Sequence, residues 1–286
     1  MSWEPIGIGR RTFGAPGPYV VGVLNVTPDS FSDGGRFLDP AAAAEHALRV
    51  AAEGADILDV GGESTRPGAP PVSAEEEIAR VVPVLERLQA TGFPLPVSVD
   101  TSKPEVARRA LAAGAAMVND VRGLSDPALA ELVAEAGVPV VVMHMRGTPR
   151  DMQSKAAYGD VVGEVRRELA EAVERAERRG VDRRRILVDP GIGFAKTAEQ
   201  SLEILGRLAE LHELGRPLFV GPSRKSFLAA ATGAPVGERL PATLAAVTAA
   251  VLAGAAFVRV HDVAPARQAA RLARALREAG RGAPAG

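Results

Sequence analysis

The chain contains no cysteine, which removes disulfides, thiolate metal sites and cysteine nucleophiles together. Aromatic residues make up only 4% of the 286 positions, so the core has to be built from Ala, Val and Leu rather than from large rings. Net charge is missing as well: 34 basic residues against 35 acidic ones leave −1 at pH 7. With no global basic field to attract nucleic acid or an anionic membrane, any anion site has to be local. No apolar run is long enough to span a bilayer. The least polar stretch, Ala242 to Val258, carries Thr243 and Thr248 and is split by Gly254, so it reads as a helix followed by a strand. The opening MSWEPIGIGRRTFG has an acidic residue and no apolar core of signal-peptide length, and a cytoplasmic location is expected. Lysine is scarce beside arginine, so a lysine at the end of a strand stands out.

What the chain does have is a 47% hydrophobic content arranged in eight short apolar runs, nearly all ending in a polar residue: VVGVLN, ILDVGGE, VSVD, MVND, VVVMH, ILVD, LFVGPSRK and FVRVHD. Between them lie Ala/Leu/Arg/Glu-rich stretches of helical periodicity. Eight βα units close into a barrel, which typically needs about 250 residues and so absorbs nearly the whole chain in one domain. The expected fold is therefore a single-domain (β/α)8 TIM barrel over residues 20–280, with residues 1–19 forming a short amino-terminal hairpin or plug at the barrel bottom. Helix starts are signalled by Asp39-Pro40 and Asp126-Pro127, and by the capping-box spacings Ser73/Glu76, Ser102/Glu105 and Thr197/Gln200. Helix ends are signalled by Gly54, Gly92, Gly114, Gly137, Gly180, Gly215 and Gly254. The first two βα loops, Thr27 to Leu38 and Glu63 to Val72, are long and polar, as lids over a site would be.

In such a barrel the carboxyl ends of the strands form one face, and polar residues scattered over the sequence converge there. Asp100, Asn119 and Asp189, at the ends of the third, fourth and sixth strands, carry short side chains that could read the edge of one planar heterocycle. A carboxylate accepts two parallel hydrogen bonds from an amino-pyrimidinone edge, and an amide offers one donor and one acceptor. Asp189-Pro190-Gly191 is also a good turn sequence. Ser102, as the expected cap of the next helix, leaves Asp100 without that structural task.

The segment Gly221-Pro222-Ser223-Arg224-Lys225-Ser226 meets a helix start, and Arg259 and His261 share one face of the eighth strand. These are ingredients of an anion site of the kind barrels place at the seventh and eighth loops. Arg224 reads better as a solvated rim residue, whereas Lys225 and Arg259 read as functional. His144, between Met143 and Met145, receives no role, and His46 and His212 read as helix surface or packing residues. No His/Asp/Glu cluster has zinc spacing and no serine sits in a nucleophile elbow, which speaks against zinc or covalent catalysis.

The run from Asn25 through Thr27, Pro28, Asp29, Ser30, Phe31, Ser32 and Asp33 to Gly35 resembles dihydropteroate synthases, as does Gly62-Glu63-Ser64-Thr65-Arg66-Pro67-Gly68. Ser98 to Thr101, Asn119-Asp120, Asp189 to Phe194, Ser223 to Ser226 and Arg259 to Asp262 are similar to that family in order and context, over roughly residues 20 to 263. The resemblance implies condensation of (7,8-dihydropterin-6-yl)methyl diphosphate with 4-aminobenzoate to dihydropteroate and diphosphate, through a pterin-methyl cation. It implies pterin recognition by Asp100, Asn119, Asp189 and Lys225, with Arg259 against the ring, and diphosphate contacts from Thr65, Arg66, Arg259 and His261. It places Mg²⁺ on the amide oxygen of Asn25, Asp33 near the cation, Phe31 and Pro67 beside the aminobenzoate ring, and Ser226 near its carboxylate. Catalytic roles fall to Asp33, Lys225 and Arg259, and a homodimer is expected. Two other readings use the same pterin edge: a methyltetrahydrofolate-dependent corrinoid methyltransferase and a non-catalytic pterin-binding protein. Neither needs the first-loop run or the Thr65-Arg66 pair.

Overall fold

The computed structural model describes residues 3–27, 39–66 and 68–281. After a two-stranded hairpin, β1 (Ile6–Ile8) and β2 (Arg11–Phe13), come the eight parallel strands that the sequence predicts. They are β3 (Tyr19–Asn25), β4 (Ile57–Gly61), β5 (Val97–Asp100), β6 (Met117–Asp120), β7 (Val140–Met143), β8 (Ile186–Asp189), β9 (Phe219–Val220) and β10 (Phe257–Val260). Each strand pairs in parallel with its neighbours, and β10 returns to β3 with Phe257 opposite Tyr19. A bridge between Val188 and Leu218, with the Val188 amide donating to the Pro217 carbonyl at 3.1 Å, joins β8 to the lead-in of β9 and closes the ring.

Helices α1 (Pro40–Ala52), α2 (Ala74–Ala90), α3 (Pro104–Ala112), α4 (Pro127–Ala136), α5 (Val161–Arg178) and α6 (Ala198–Gly206) follow β3 to β8 in turn. After β9 there are two, a short α7 (Ser226–Thr232) and then α8 (Leu240–Leu252), and α9 (Val263–Arg281) follows β10. The predicted caps at Asp39, Ser73, Asp126 and Thr197 each accept a backbone N–H of their helix, and Thr197/Gln200 forms the complete reciprocal box. Two local expectations fail. Glu76 pairs with Arg80. Ser102 does not cap α3, whose N-cap is Lys103 without a side-chain bond; its hydroxyl is bonded to the buried Asp120 at 2.5 Å instead. A buried carboxylate facing the hydroxyl competes better than an amide that water can reach.

Side chains on a strand alternate between two faces, so the lumen is built in layers. At the amino end Val21, Ile57, Met117, Val141, Leu187, Phe219 and Phe257 form one apolar cluster with Ile6, Ile8 and Phe13 of the hairpin. The hairpin is thus a plug, and scarce aromatics gather here: the ring centroids of Trp3, Phe13, Tyr19 and Phe219 all lie within 6.3 Å of that of Phe257. Two residues further along the same strands stand Asp59, Asn119, Asp189, Gly221 and Arg259. Period two therefore converts an apolar floor into a polar layer about 7 Å higher. A second apolar cluster fills the space between strands and helices. Gly22 shows how close that packing is, because a Cβ there would lie 2.4 Å from Val50 Cγ1.

Ile8 is fully buried against the floor and far from the polar layer. Ile8→Ala should lower stability by about 2–5 kcal/mol through lost burial and the cavity left behind. Urea unfolding will measure this, and a change below about 0.5 kcal/mol would show that the hairpin does not plug the barrel.

Candidate active site

The polar layer is organised by Arg259, which rises from β10 between two carboxylates. Its Nε donates to Asp59 Oδ2 at 2.6 Å and its Nη2 donates to Asp100 Oδ2 at 2.8 Å. Asn119 Nδ2 donates to the same Asp59 oxygen at 3.1 Å, so strands β4, β5, β6 and β10 are cross-linked within the lumen. Asp59, with no solvent exposure, is a site residue that sequence reasoning missed. Its signal was a carboxylate in the middle of an apolar run, two positions above the floor residue Ile57. Asn119 is the penultimate residue of β6 and points inward. Asp120 ends the strand and accepts the backbone N–H groups of Arg122 and Leu124, a structural task.

Across the lumen Asp189 Oδ1 accepts the Gly191 amide at 2.7 Å. Gly191 has φ +64°, and a Cβ on it would sit 2.0 Å from the His144 carbonyl oxygen, so only glycine lets the chain turn here. Lys225, at the start of α7, donates from Nζ to the Ile192 carbonyl at 2.5 Å and stands 4.6 Å above the centroid of the Phe194 ring. Gly221 keeps space open between Lys225 and Arg259: a Cβ there would be 4.0 Å from Lys225 Nζ and 3.7 Å from Arg259 Cβ.

Burial dominates the titration of this layer. It pushes the Asp100 carboxyl up to about 7, against the pull of Arg259, with Asp59, Glu77 and Asp120 adding to the rise. It raises Asp189, opposed by Lys225, and lowers Lys225 to about 8, opposed by Asp189. His261 is brought down to about 4 by burial and then by Arg259 and Arg224, so the ring is neutral near pH 7. Its backbone N–H donates to Ser223 Oγ at 3.2 Å, and its Nδ1 lies 3.0 Å from the same oxygen. The hydroxyl proton is free for Nδ1, which leaves Nε2–H as a donor. Arg66, on the exposed loop after β4, adds a small further pull downward on His261.

The loop bearing Thr65 and Arg66 is fastened at its base. Glu63 accepts the Val72 amide at 2.9 Å and Lys103 Nζ at 2.7 Å, and Lys103 also pairs with the buried Glu77 at 2.5 Å. Further along, the Gly68 amide donates to the Pro149 carbonyl at 3.1 Å. Asn25 closes β3 opposite Gly61, half-buried on the same face. Ser226 is exposed at the first position of α7. Arg224 forms a two-point pair with Asp262, at 3.0 and 2.6 Å, on the rim. The structure thus brings Asp100, Asn119, Asp189, Lys225 and Arg259 to one end of the lumen, with His261 just beyond β10. Phe31, Asp33 and Pro67 lie outside the described residues. Among the described residues no cluster of three or more His, Cys, Asp or Glu could hold a metal ion.

Residues 21–261 match the family model described as pterin binding enzyme. The dihydropteroate synthase of Escherichia coli K12 is 47% identical over 258 residues, covering 90% of this chain and 91% of that protein. Among solved structures, dihydropteroate synthase from Xanthomonas albilineans with 4-aminobenzoic acid superposes with a TM-score of 0.90 at 46% identity, over 99% of this chain and 100% of the other. The enzyme from the same organism in complex with 7,8-dihydropteroate gives a TM-score of 0.87 at 44% identity, covering 98% of this chain and 100% of that one.

Two measurements follow from the charge arrangement. Asp59→Leu leaves Arg259 and Asn119 without their shared acceptor, and should destabilise the protein by about 3 kcal/mol in urea unfolding; an unchanged midpoint would contradict the cross-link. Between about pH 4 and 6.5 folded His261 holds fewer protons than the unfolded chain, so it loses stability as pH falls through that window, while Asp100 acts in the opposite sense between about 4 and 7. NMR titration of the imidazole should place the His261 midpoint near 4. A midpoint near the ordinary value of about 6.5 would show that the ring is not enclosed as described.

Proposed function

The chain belongs to the family of pterin binding enzymes, and from that premise we propose that it is a dihydropteroate synthase. It joins (7,8-dihydropterin-6-yl)methyl diphosphate to 4-aminobenzoate and releases diphosphate, a transferase reaction of folate biosynthesis. The observation that carries this reading is the polar layer itself: two raised carboxyls, an amide, a lysine and an arginine around one lumen mouth, with cationic and neutral donors on the loop and strand beside it. The similarity to dihydropteroate synthases over nine-tenths of the chain or more supports it independently.

The pterin edge is matched by Asp100, Asn119 and Asp189. A ring donor that lacked its acceptor would be left unpaired in a dry site, so such a trio selects strongly against other heterocycles. Lys225 is mostly protonated at pH 7 with its pKa near 8, and offers its ammonium to a ring carbonyl. Arg259 lies along the ring. Two of its five N–H donors are committed to Asp59 and Asp100, and the remaining three can reach the diphosphate. Thr65, Arg66 and the Nε2–H of His261 complete the diphosphate contacts.

The C–O bond to diphosphate breaks first, its electron pair leaving with the diphosphate oxygen. Arg66 and Arg259 stabilise that growing negative charge. The cation left on the pterin methylene is stabilised by delocalisation into the electron-rich ring, with Asp33 of the first loop assigned the nearest stabilising charge. The aminobenzoate nitrogen then forms the new C–N bond and gives up a proton. Phe31 and Pro67 flank that second ring, Ser226 meets its carboxylate, and the two long loops keep water from the cation. Asn25 suits Mg²⁺: one neutral amide oxygen, no crowd of carboxylates among the described residues, and a diphosphate to supply most other ligands. When bound, the ion would offset charge on the departing diphosphate.

A homodimer is part of the same reading, supported by Leu272 and Leu276, which lie four apart and exposed on α9. So is a cytoplasmic location, and no described helix is long and apolar enough to cross a membrane.

Incubation with Mg²⁺, labelled 4-aminobenzoate and the dihydropterin diphosphate should yield labelled dihydropteroate and equimolar diphosphate. Tight pterin binding without product, or methyl transfer to a corrinoid protein, would overturn the reading. Asp189→Asn should weaken pterin binding by roughly 100-fold or more in calorimetry, and equal affinity would remove Asp189 from the pterin edge. Asp33→Ala should lower kcat with little change in pterin affinity, and an unchanged kcat would remove its catalytic role.

A further inference from the structure

Behind the pterin-facing layer a buried chain of polar groups runs from α5 to the β8–α6 loop, and none of the roles above uses it. Lys196 is 3% exposed. Its Nζ donates to the Phe194 carbonyl at 2.9 Å and lies 2.9 Å from His144 Nδ1 and 3.5 Å from the His144 carbonyl. His144 Nε2 is 3.0 Å from Glu168 Oε2, and Glu168 in turn accepts from Arg146. The hydrogen bond from His144, followed by those from Arg146, holds the Glu168 carboxyl down at about 2, so it accepts the Nε2–H. Burial and then Lys196 bring His144 to about 4, which keeps the ring neutral. Nδ1 is therefore an acceptor, and Lys196 points its donors at Nδ1 and at the loop carbonyl.

That loop is the one that aims Lys225. Ile192 supplies the carbonyl for Lys225 Nζ, Phe194 supplies the ring beneath it, and Gly193 packs so close that a Cβ there would be 3.4 Å from Lys225 Cδ. The loop begins at Asp189. Its last residue before Lys196, Ala195, is fully buried at φ +49°, a left-handed conformation that alanine holds only when its surroundings impose it. Tyr158 donates to the Ala195 carbonyl at 2.9 Å from one side, and Lys196 ties the preceding carbonyl to β7 from the other.

We propose that Lys196, backed by His144 and Glu168, is a positioning residue that sets the Phe194 ring and the Lys225 ammonium for the pterin. The proposal rests on the synthase reading and assigns Lys196 to the pterin half of the reaction alone. It touches no group assigned to 4-aminobenzoate.

Lys196→Met keeps the unbranched shape and most of the length of the side chain and removes its donors. It should raise the pterin Kd and the KM for the dihydropterin diphosphate about tenfold, while the KM for 4-aminobenzoate stays within about twofold. His144→Asn retains an acceptor near the Nδ1 position and should bind pterin like the wild type. His144→Leu removes that acceptor and should shift pterin affinity in the same direction as Lys196→Met. Unchanged pterin affinity in a folded Lys196→Met protein, or an equal rise in both KM values, would overturn the proposal. If Lys196→Met does not fold, the His144 pair decides: equal pterin affinity in the Asn and Leu variants overturns it, and a loss confined to Leu supports it. Wild-type product formation, assayed alongside, separates the two ideas. No dihydropteroate from the wild type defeats the synthase reading, whereas normal wild-type turnover with unaffected variants defeats only the positioning role.

Discussion

The guanidinium of Arg259, held between Asp59 and Asp100, is the constraint around which the lumen is arranged. A cation on β10 in a dry barrel needs carboxylates, and the two that serve it come from β4 and β5, with Asn119 of β6 sharing the Asp59 oxygen. Removing water from these groups would be unfavourable if any one stood alone, so the layer holds as a set. The same set has unspent hydrogen-bonding capacity facing the mouth of the barrel. Arg259 retains three donors and Asp189 retains acceptor capacity, which is how one network both joins the strands and meets a ligand.

Alternation along the strands makes this economical. The apolar floor and the polar layer are successive inward positions on the same strands, Ile57 and Asp59, Met117 and Asn119, Leu187 and Asp189, Phe257 and Arg259. Plugged below by Ile6, Ile8 and Phe13, the lumen is open to chemistry at one end only. The short α7 after β9 then places Lys225 opposite Arg259, and glycine at 221 keeps the gap between them clear.

Much of this was legible from the amino acids because periodicity and helix punctuation are local. Gly54, Gly92, Gly114, Gly137, Gly180, Gly215 and Gly254 all adopt positive φ where helices were expected to end. The failures are where a distant partner decides. Ser102 has capping-box spacing, but a carboxylate 18 residues away takes its hydroxyl. Asp59 sits within an apolar run rather than at its end, and only inward counting from Ile57 would single it out. His144 receives no role from the sequence because its partners, Glu168 and Lys196, lie 24 and 52 residues further along the chain. Long-range polar pairing leaves no trace in spacing, so the network that steadies Lys225 became visible only in three dimensions. The long first loop carries the most specific sequence run, and the pterin edge is built instead from strand ends whose side chains meet across the lumen.

The most direct measurement of the central claim is a crystal structure of this chain with bound 7,8-dihydropteroate. The pterin ring should be seated among Asp100, Asn119, Asp189 and Lys225, with Arg259 along its face and still bonded to Asp59. A pterin bound away from this layer, or an Arg259 withdrawn from Asp59 to receive it, would show that the layer is not the pterin site.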